Sequence, residues 1–380
     1  MNCNLEHSQY QVSKQDVAIW FDEINDKAKN IGFRSGQVKV SAPSNIALVK
    51  YWGKTGQQLP LNSSLSLTLN HSTTETQLVI ELDSKRNEAE FCLFFEGIER
   101  PDFMQKLLPF WQEIKRLFPW LTSAKISIHT SNTFPHSAGI ASSASSSATL
   151  ALGLIEIFKG LGLLDHAAEK ELVLASYLAR LGSGSACRSL FPVASLWGHN
   201  PGLPGNDYFA VPLPDCASFL STLCDAILIV DQEEKKVSSR AGHALMQDHP
   251  HRESRIAQAQ SRTHAVLAAI EQEDFWKMGE IIEAEALELH ALMMSGSSPF
   301  ILIRPNTLAI IEGIWKKRKD NGLPVFFTLD AGPNVHLLYR DSDKIEVETW
   351  VRDDLSCLCQ KILWDKVGPG PVVLEAYRSL

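Results

Sequence analysis

The segment Pro135–Leu150, PHSAGIASSASSSATL, limits what this 380-residue chain can fold into more than any other stretch. Small residues lose much backbone freedom on folding and add little packing, so a dense run of them costs stability unless something must approach the backbone closely. The run opens an apolar stretch that reads as a helix to about Lys159. Two readings stay open. Gly139 and the run Ala141–Ser147 can form a tight loop whose N–H groups, with the positive end of the helix dipole, hold an anion such as a phosphate. Equally, the Ala/Ser face can be a surface for close helix packing. No Gly-Lys-Ser/Thr is present, so this is not a Walker A loop.

Bulk properties narrow the partners. A net charge of −8 without a long basic tract argues against a broad nucleic-acid surface, so any anion site is a local concentration of positive charge. With 44% hydrophobic and 21% charged residues the chain is of the ordinary globular type, and its length suggests two domains. The densest basic run, Lys316-Lys317-Arg318-Lys319, follows the helical stretch Leu308–Trp315, where cations complement the end of the helix dipole. The seven cysteines, Cys3, Cys92, Cys187, Cys216, Cys224, Cys357 and Cys359, are odd in number and form no C-x-x-C pair. That speaks against a disulfide framework or a zinc site and fits a reducing compartment. Charges occur throughout the first thirty residues, and no apolar segment reaches the ~18 residues of a membrane helix. The expectation is a cytoplasmic protein with neither nucleic-acid nor membrane partners.

Periodicity gives the organisation. Ser13 with Asp16 resembles a capping box, and Val17, Trp20, Phe21, Ile24 and Ala28 recur at helical spacing, which suits a helix packed on the body or a partner-binding helix. Strands are expected at Gln37–Ser41, Ser64–Leu69, Thr76–Leu82, Ala89–Phe95, Lys125–His129, Asp225–Val230 and Pro324–Leu329. Helices are expected at Leu107–Phe118, Ala168–Leu181, Arg255–Ile270, Asp274–Met293, from Asn306 onward, and near Val347–Leu358. Such uneven alternation points to an α+β fold, with an extension over 1–37 and domains over 38–220 and 221–380.

Three further motifs carry chemistry. Ala42–Lys54 sets Lys50 and Lys54 beside Tyr51 and Trp52: either a source of positive charge and a hydroxyl donor for phosphates, or a strand with snorkelling lysines. Gly182–Arg188 offers the hydroxyls of Ser183 and Ser185, open amides and a guanidinium suited to a carboxylate or phosphate. No base activates those serines, and Cys187, without a companion histidine, reads as a small buried residue. In Thr328–Asn334 a strand ends at Asp330 before a Gly-Pro turn; the carboxylate caps that turn or stands at a cleft as general base or electrostatic partner.

In combination, N-I-A-L-V-K-Y-W-G-K, L-P-L-N-S-S-L-S-L-T-L, the G-I-A-S-S-A loop, G-S-G-S-A-C-R-S-L, K-K-V-S-S-R and D-A-G-P-N resemble the mevalonate diphosphate decarboxylases of the GHMP kinase superfamily, from Val38 to the C-terminal region. The resemblance implies a two-domain GHMP kinase fold: an N-terminal domain like ribosomal protein S5 domain 2, a ferredoxin-like C-terminal domain, and a site between them. It also implies ATP-dependent decarboxylation of (R)-5-diphosphomevalonate with ATP and Mg2+, in a homodimer. By position, Asp330 matches the catalytic aspartate beside the 3-hydroxyl, Arg188 the arginine holding the C1 carboxylate, and Lys50 a lysine near the reacting centre. Tyr51, Trp52, Gly53, Lys54, Ser239 and Arg240 match the region binding the diphosphate end. Ser183, Gly184, Ser185, Ala186 and Cys187 match the substrate-lining turn, and Asn132, Gly139, Ala141, Ser142 and Ser143 the nucleotide side. No metal ligand is assigned. The chain departs from the family pattern at Phe191-Pro-Val193, where a glycine pair is usual, at Ser145–Ser147, and at Thr133. Rival readings are a decarboxylase of mevalonate 5-phosphate, a mevalonate-type 3-kinase that stops after phosphorylation, and a non-catalytic metabolite-binding protein. The presence of Asp330, Lys50 and Arg188 together speaks against the last.

Overall fold

The computed structural model describes residues 12–83, 85–86, 88–135, 140–232 and 239–380, with the backbone alone for 239–241. Helix α1 (Lys14–Ala28) opens on the expected capping box, in which Ser13 and Asp16 satisfy each other's backbone N–H. Its stripe Val17, Trp20, Phe21, Ile24 and Ala28 is buried, with Phe21 edge-on to Phe118 and Tyr177. The stripe therefore packs on the body.

Two long strands follow, β1 (Arg34–Val49) and β4 (Ser64–Leu82), separated by a small hairpin of β2 (Lys54–Thr55) and β3 (Leu59–Pro60). Next come β5 (Glu90–Phe95), β6 (Ile98–Glu99), α2 (Pro101–Leu117), β7 (Ala124–Asn132), α3 (Ser142–Gly160) and α4 (Ala168–Gly182). The first part closes with β8 (Ala194–Trp197), β9 (Val211–Pro212) and α5 (Ala217–Leu220). The second part runs β10 (Leu223–Ile229), α6 (Ser239–Ala244), α7 (Arg252–Glu271), α8 (Phe275–Ser295), α9 (Pro305–Asn321), β11 (Phe326–Leu329), β12 (Val335–Arg340), α10 (Lys344–Trp350) and β13 (Lys361–Lys366). The last strand is β14 (Val372–Ser379).

The larger sheet has the order β14-β1-β4-β7-β5-β6, with β8 on β4 and β9 on β8; β5 and β7 are its parallel pair. The smaller sheet, β11-β12-β10-β13, is antiparallel throughout. Within its own unit that order is second, third, first, fourth, the arrangement of a ferredoxin-like βαββαβ fold. Strand β14 then returns to pair with β1, so the last strand of the expected 221–380 unit lies in the larger sheet.

The small residues of helix α3 serve close packing on the sheet. Gly153 lies so close to the sheet that a Cβ there would come 2.5 Å from Leu78 Cδ1. Ser145 and Thr149 meet Thr74 and Thr76 of β4 through hydroxyl hydrogen bonds of 2.6 and 2.8 Å, which satisfies polar atoms buried between helix and sheet.

Several elements differ from expectation. Helix α2 begins at Pro101, a residue suited to a first helical position, and carries Pro109 within it. The basic run 316–319 lies inside α9, which continues to Asn321 and stops at Gly322 with φ 67°, a left-handed cap open to glycine. Helix α10 ends at Trp350, and a π turn and a 3-10 turn occupy 351–358. Strands β8, β12, β13 and β14 were not expected at all.

Candidate active site

The repeat Ser64-Leu-Ser-Leu-Thr-Leu69 alternates because successive side chains of a strand point to opposite faces. Here both faces are covered. The leucines enter the main core, while Ser64, Ser66 and Thr68 are fully buried on the other side. That polar face holds Arg188, which the turn Gly184–Leu190 carries in from the end of α4. Arg188 donates from Nε to Ser66 Oγ at 2.6 Å and from Nη1 to Ser64 Oγ at 2.5 Å. The guanidinium is 2% exposed, yet its protein partners are neutral hydroxyls, and burial pulls its pKa down. A buried cation held this way calls for an anion from outside the chain.

Lys50 follows the last residue of β1 and is also 2% exposed, so it does not snorkel to solvent. Its Nζ donates to the Ala47 carbonyl at 2.6 Å and to Asp330 Oδ1 at 3.1 Å. Burial lowers its pKa, with the Asp330 carboxylate working in the opposite direction. The backbone of Lys50 is gripped as well: its N–H donates to Glu285 Oε1 and its carbonyl accepts from Arg255 Nη2, both at 2.9 Å. Glu285 on α8 and Arg255 on α7 are completely buried and paired with each other, and Arg262 adds a 2.7 Å bond to Glu285. Burial works to raise the pKa of Glu285, but Arg255 and Arg262 outweigh it and hold the carboxyl below its ordinary value.

Asp330 sits just past β11, and its carbonyl lies 3.1 Å from His290 Nε2. Thr328, inside β11, donates to the same Ala47 carbonyl that Lys50 uses. The end of β1 and the end of β11 therefore meet, and with them the two sheets.

A cavity of about 590 Å³ opens at this meeting point. Its wall contains Lys50, Tyr51, Trp52 and Lys54; Ser183, Gly184, Ser185 and Arg188; Asp330; and Ala141 and Ser143. Other expected residues stand off the wall. Gly53 lies behind it in a left-handed conformation (φ 89°), where a Cβ would meet Leu61 at 2.6 Å. Ala186 and Cys187 are fully buried, and burial pushes the Cys187 thiol up to about 12, so it is no nucleophile at neutral pH. Ser142 is outside the lining, and Asn132 accepts a 2.8 Å bond from Thr74 at the end of β7. Gly139 and the side chains of Ser239 and Arg240 lie outside the described residues.

The start of α3 fits a phosphate. Ala141 takes the N-cap position with φ 43°, no side chain among the described residues caps the helix, and the hydroxyls of Ser143 and Ser183 face each other at 3.3 Å. First-turn N–H groups without a cap are a natural seat for an anion.

Residues 42–210 match the family described as "Diphosphomevalonate decarboxylase-like N-terminal domain", and residues 226–359 the family described as "Mevalonate 5-diphosphate decarboxylase C-terminal domain". This chain belongs to the diphosphomevalonate decarboxylase family. It is similar to the diphosphomevalonate decarboxylase of Danio rerio, 32% identical over 78% of this chain and 74% of that one, and to that of Homo sapiens, 30% identical over 81% and 78%. Among solved structures it is similar to the mevalonate diphosphate decarboxylase of Staphylococcus aureus, 27% identical with a TM-score of 0.77 over 90% of this chain and 98% of the other. A further similar structure is a complex with MVAPP, AMPPCP and magnesium, 30% identical with a TM-score of 0.76 over 91% and 100%.

Like the solved relatives, the chain combines the two units in one mixed α and β fold. Sequence reasoning missed Glu285, Arg255, Asn45 and His243. Asn45 braces the arginine turn by donating to the Ser185 carbonyl and Ser189 Oγ. The available signal for Glu285 was an acid on the apolar face of α8, between Ile282, Ala286 and Leu289.

Proposed function

We propose that this chain is an ATP-dependent lyase that converts (R)-5-diphosphomevalonate to isopentenyl diphosphate, ADP, phosphate and CO2. The observation that carries this reading is one cavity in which the buried Lys50, paired with the partly buried Asp330, and the buried guanidinium of Arg188 face the same space.

A tertiary alcohol is a poor leaving group, and transfer of the ATP γ-phosphoryl to its oxygen makes it a good one. Asp330 stands ready to take the proton of the 3-hydroxyl as that oxygen forms its bond to phosphorus, and Lys50 keeps the carboxylate charged and aimed. Arg188 holds the C1 carboxylate in line with the breaking bond, a contribution of positioning. When the C3–O bond breaks, phosphate leaves with its electron pair. The C1–C2 bond pair then becomes the new double bond and CO2 departs. Having passed that proton to the departing phosphate, Asp330 is again a carboxylate and stabilises the positive character at C3. Tyr51 and Lys54 serve the diphosphate end, and Ala141 with Ser143 the nucleotide phosphates. Mg2+ would offset charge on those phosphates, and the hydroxyls of Ser143 and Ser183 with the Asp330 carboxylate are the hard oxygen donors such an ion takes. A homodimer in the cytoplasm is part of the same proposal; the apolar run Val372, Val373 and Leu374 on β14, at the sheet edge, supports association. No helix among the described residues is long and apolar enough to cross a membrane.

The test is CO2 release with ATP and mevalonate, its 5-phosphate or its 5-diphosphate. Release from the diphosphate is the expected result. Release from the monophosphate alone, or ADP formation without CO2, would replace this reading with one of its rivals.

A further inference from the structure

One side chain of the cavity wall comes from α6 and has no role in the reaction as derived. The His243 ring lies across the stretch that follows Lys50, its centroid 4.3 Å from that of Tyr51 and 4.9 Å from that of Trp52. Helix α6 comes this close because Gly242 has no side chain: a Cβ there would lie 2.4 Å from Trp52 Cη2. The ring is fixed by the Gly53 N–H, which donates to His243 Nδ1 at 3.0 Å. An Nδ1 that accepts a backbone N–H carries no proton, so the neutral ring has its proton on Nε2. Burial, reinforced by Lys54 and then Arg188, pushes the pKa of His243 down to about 3, so the ring is neutral at physiological pH. The ring lines the cavity, and no described side chain accepts from Nε2.

Given the reaction proposed above, we propose that His243 is a substrate-binding residue, whose Nε2–H donates a hydrogen bond to a phosphate oxygen at the diphosphate end of the substrate. Two features select that end over the carboxylate. The ring covers the segment that leads from Tyr51 to Lys54, and it is anchored on Gly53, the neighbour of Lys54. A neutral donor also suits the place. A third cation beside Lys54 and Arg188 would raise mutual repulsion in a buried site, whereas an N–H adds a directed bond at no charge.

The two ring nitrogens can be separated by substitution. Asparagine places an acceptor near the position of Nδ1 and so keeps the Gly53 bond, whereas glutamine reaches the position of Nε2 and so keeps the donor. Titration calorimetry of diphosphomevalonate into His243→Asn, His243→Gln and His243→Ala reads the binding constant directly. His243→Asn and His243→Ala are expected to weaken binding about tenfold, and His243→Gln clearly less than either. Binding by His243→Asn equal to or tighter than that by His243→Gln would overturn the proposal, since the ring would then serve only to hold the Gly53 turn. The reaction itself is read separately, by CO2 release from the unsubstituted protein, so failure of the reaction and failure of this residue's role give different results.

Discussion

A lysine ammonium that is 2% exposed has lost its water, and what keeps it charged is the Asp330 carboxylate 3.1 Å away. Replacing Asp330 with Asn removes both the counter-charge and the group that takes the hydroxyl proton. CO2 release from diphosphomevalonate is expected to fall by roughly 10²- to 10⁴-fold, while calorimetry of the same substrate shows largely intact binding. Near-normal turnover would remove Asp330 from the mechanism. Glu285 acts one step back, through the Lys50 N–H, and Glu285→Gln leaves the buried Arg255 with the Glu288 carboxylate 3.6 Å away in place of its direct ion pair, a loss of about 1.5–3 kcal/mol in urea unfolding. Its pH signature has a definite sign. A carboxyl held below its ordinary value of 4.5 adds stability that is present above that pH and is lost as pH falls through its folded value. The gap between the unsubstituted protein and Glu285→Gln should therefore narrow as pH drops below 4.5; a gap that widened there would mean the carboxyl is not ion-paired. Lys50, Arg188 and Asp330 were legible because each sits in a local motif. Glu285, Arg255 and His243 were not, because their meaning depends on what a distant part of the chain places against them.

At the scale of elements, small residues prove to be contact devices. Gly160 ends α3 directly against the Tyr377 ring of β14, and a Cβ at Gly160 would lie 2.0 Å from Tyr377 Cγ. Alanine normally stabilises a helix relative to glycine by roughly 1 kcal/mol, yet Gly160→Ala should destabilise by about 1–3 kcal/mol, because it pushes the last strand off the sheet. A raised melting temperature would show that β14 contributes nothing to stability. Val193 gives the opposite sign. Its φ of 63° is a left-handed conformation that a β-branched side chain resists. Its N–H and carbonyl are tied to Gly368 and Thr68, so the conformation is imposed by its neighbours. Val193→Gly should raise stability, by about 1 kcal/mol in denaturant titration, and a loss would mean that packing of the valine outweighs the strain. The long helices were legible from their periodicity. The strands that escaped notice are those without alternation: β8 is four residues buried throughout, and β14 is exposed along nearly its whole length.

For the molecule as a whole, the site exists only while the two sheets hold their relative position, since Lys50 belongs to one and Asp330 to the other. Sequence reading placed a boundary near residue 220 but could not supply the contacts across it. One of these is Asp365 on β13, whose side chain is 1% exposed and accepts backbone N–H bonds from Asn70, His71 and Ser72 of β4 at 2.8–3.0 Å. Beside it, Gly368 passes so near the strand that a Cβ would lie 2.5 Å from the Leu69 carbonyl oxygen. A carboxylate can accept all three bonds, whereas an amide presents its NH2 to at least one of the same N–H groups. Asp365→Asn should cost about 2–3 kcal/mol. Because the loss lies between the sheets, catalysis should fail before the sheets themselves do. In a urea titration of Asp365→Asn, CO2 release is expected to decline at lower urea than the far-ultraviolet dichroism, whereas in the unsubstituted protein the two curves run closer together. Asp343→Asn, which breaks an ion pair of 3.2 Å with the partly exposed Arg340, should leave both curves in place. If activity and secondary structure in Asp365→Asn were lost together, the contact would be one more contribution to global stability rather than the hinge that keeps Lys50 opposite Asp330.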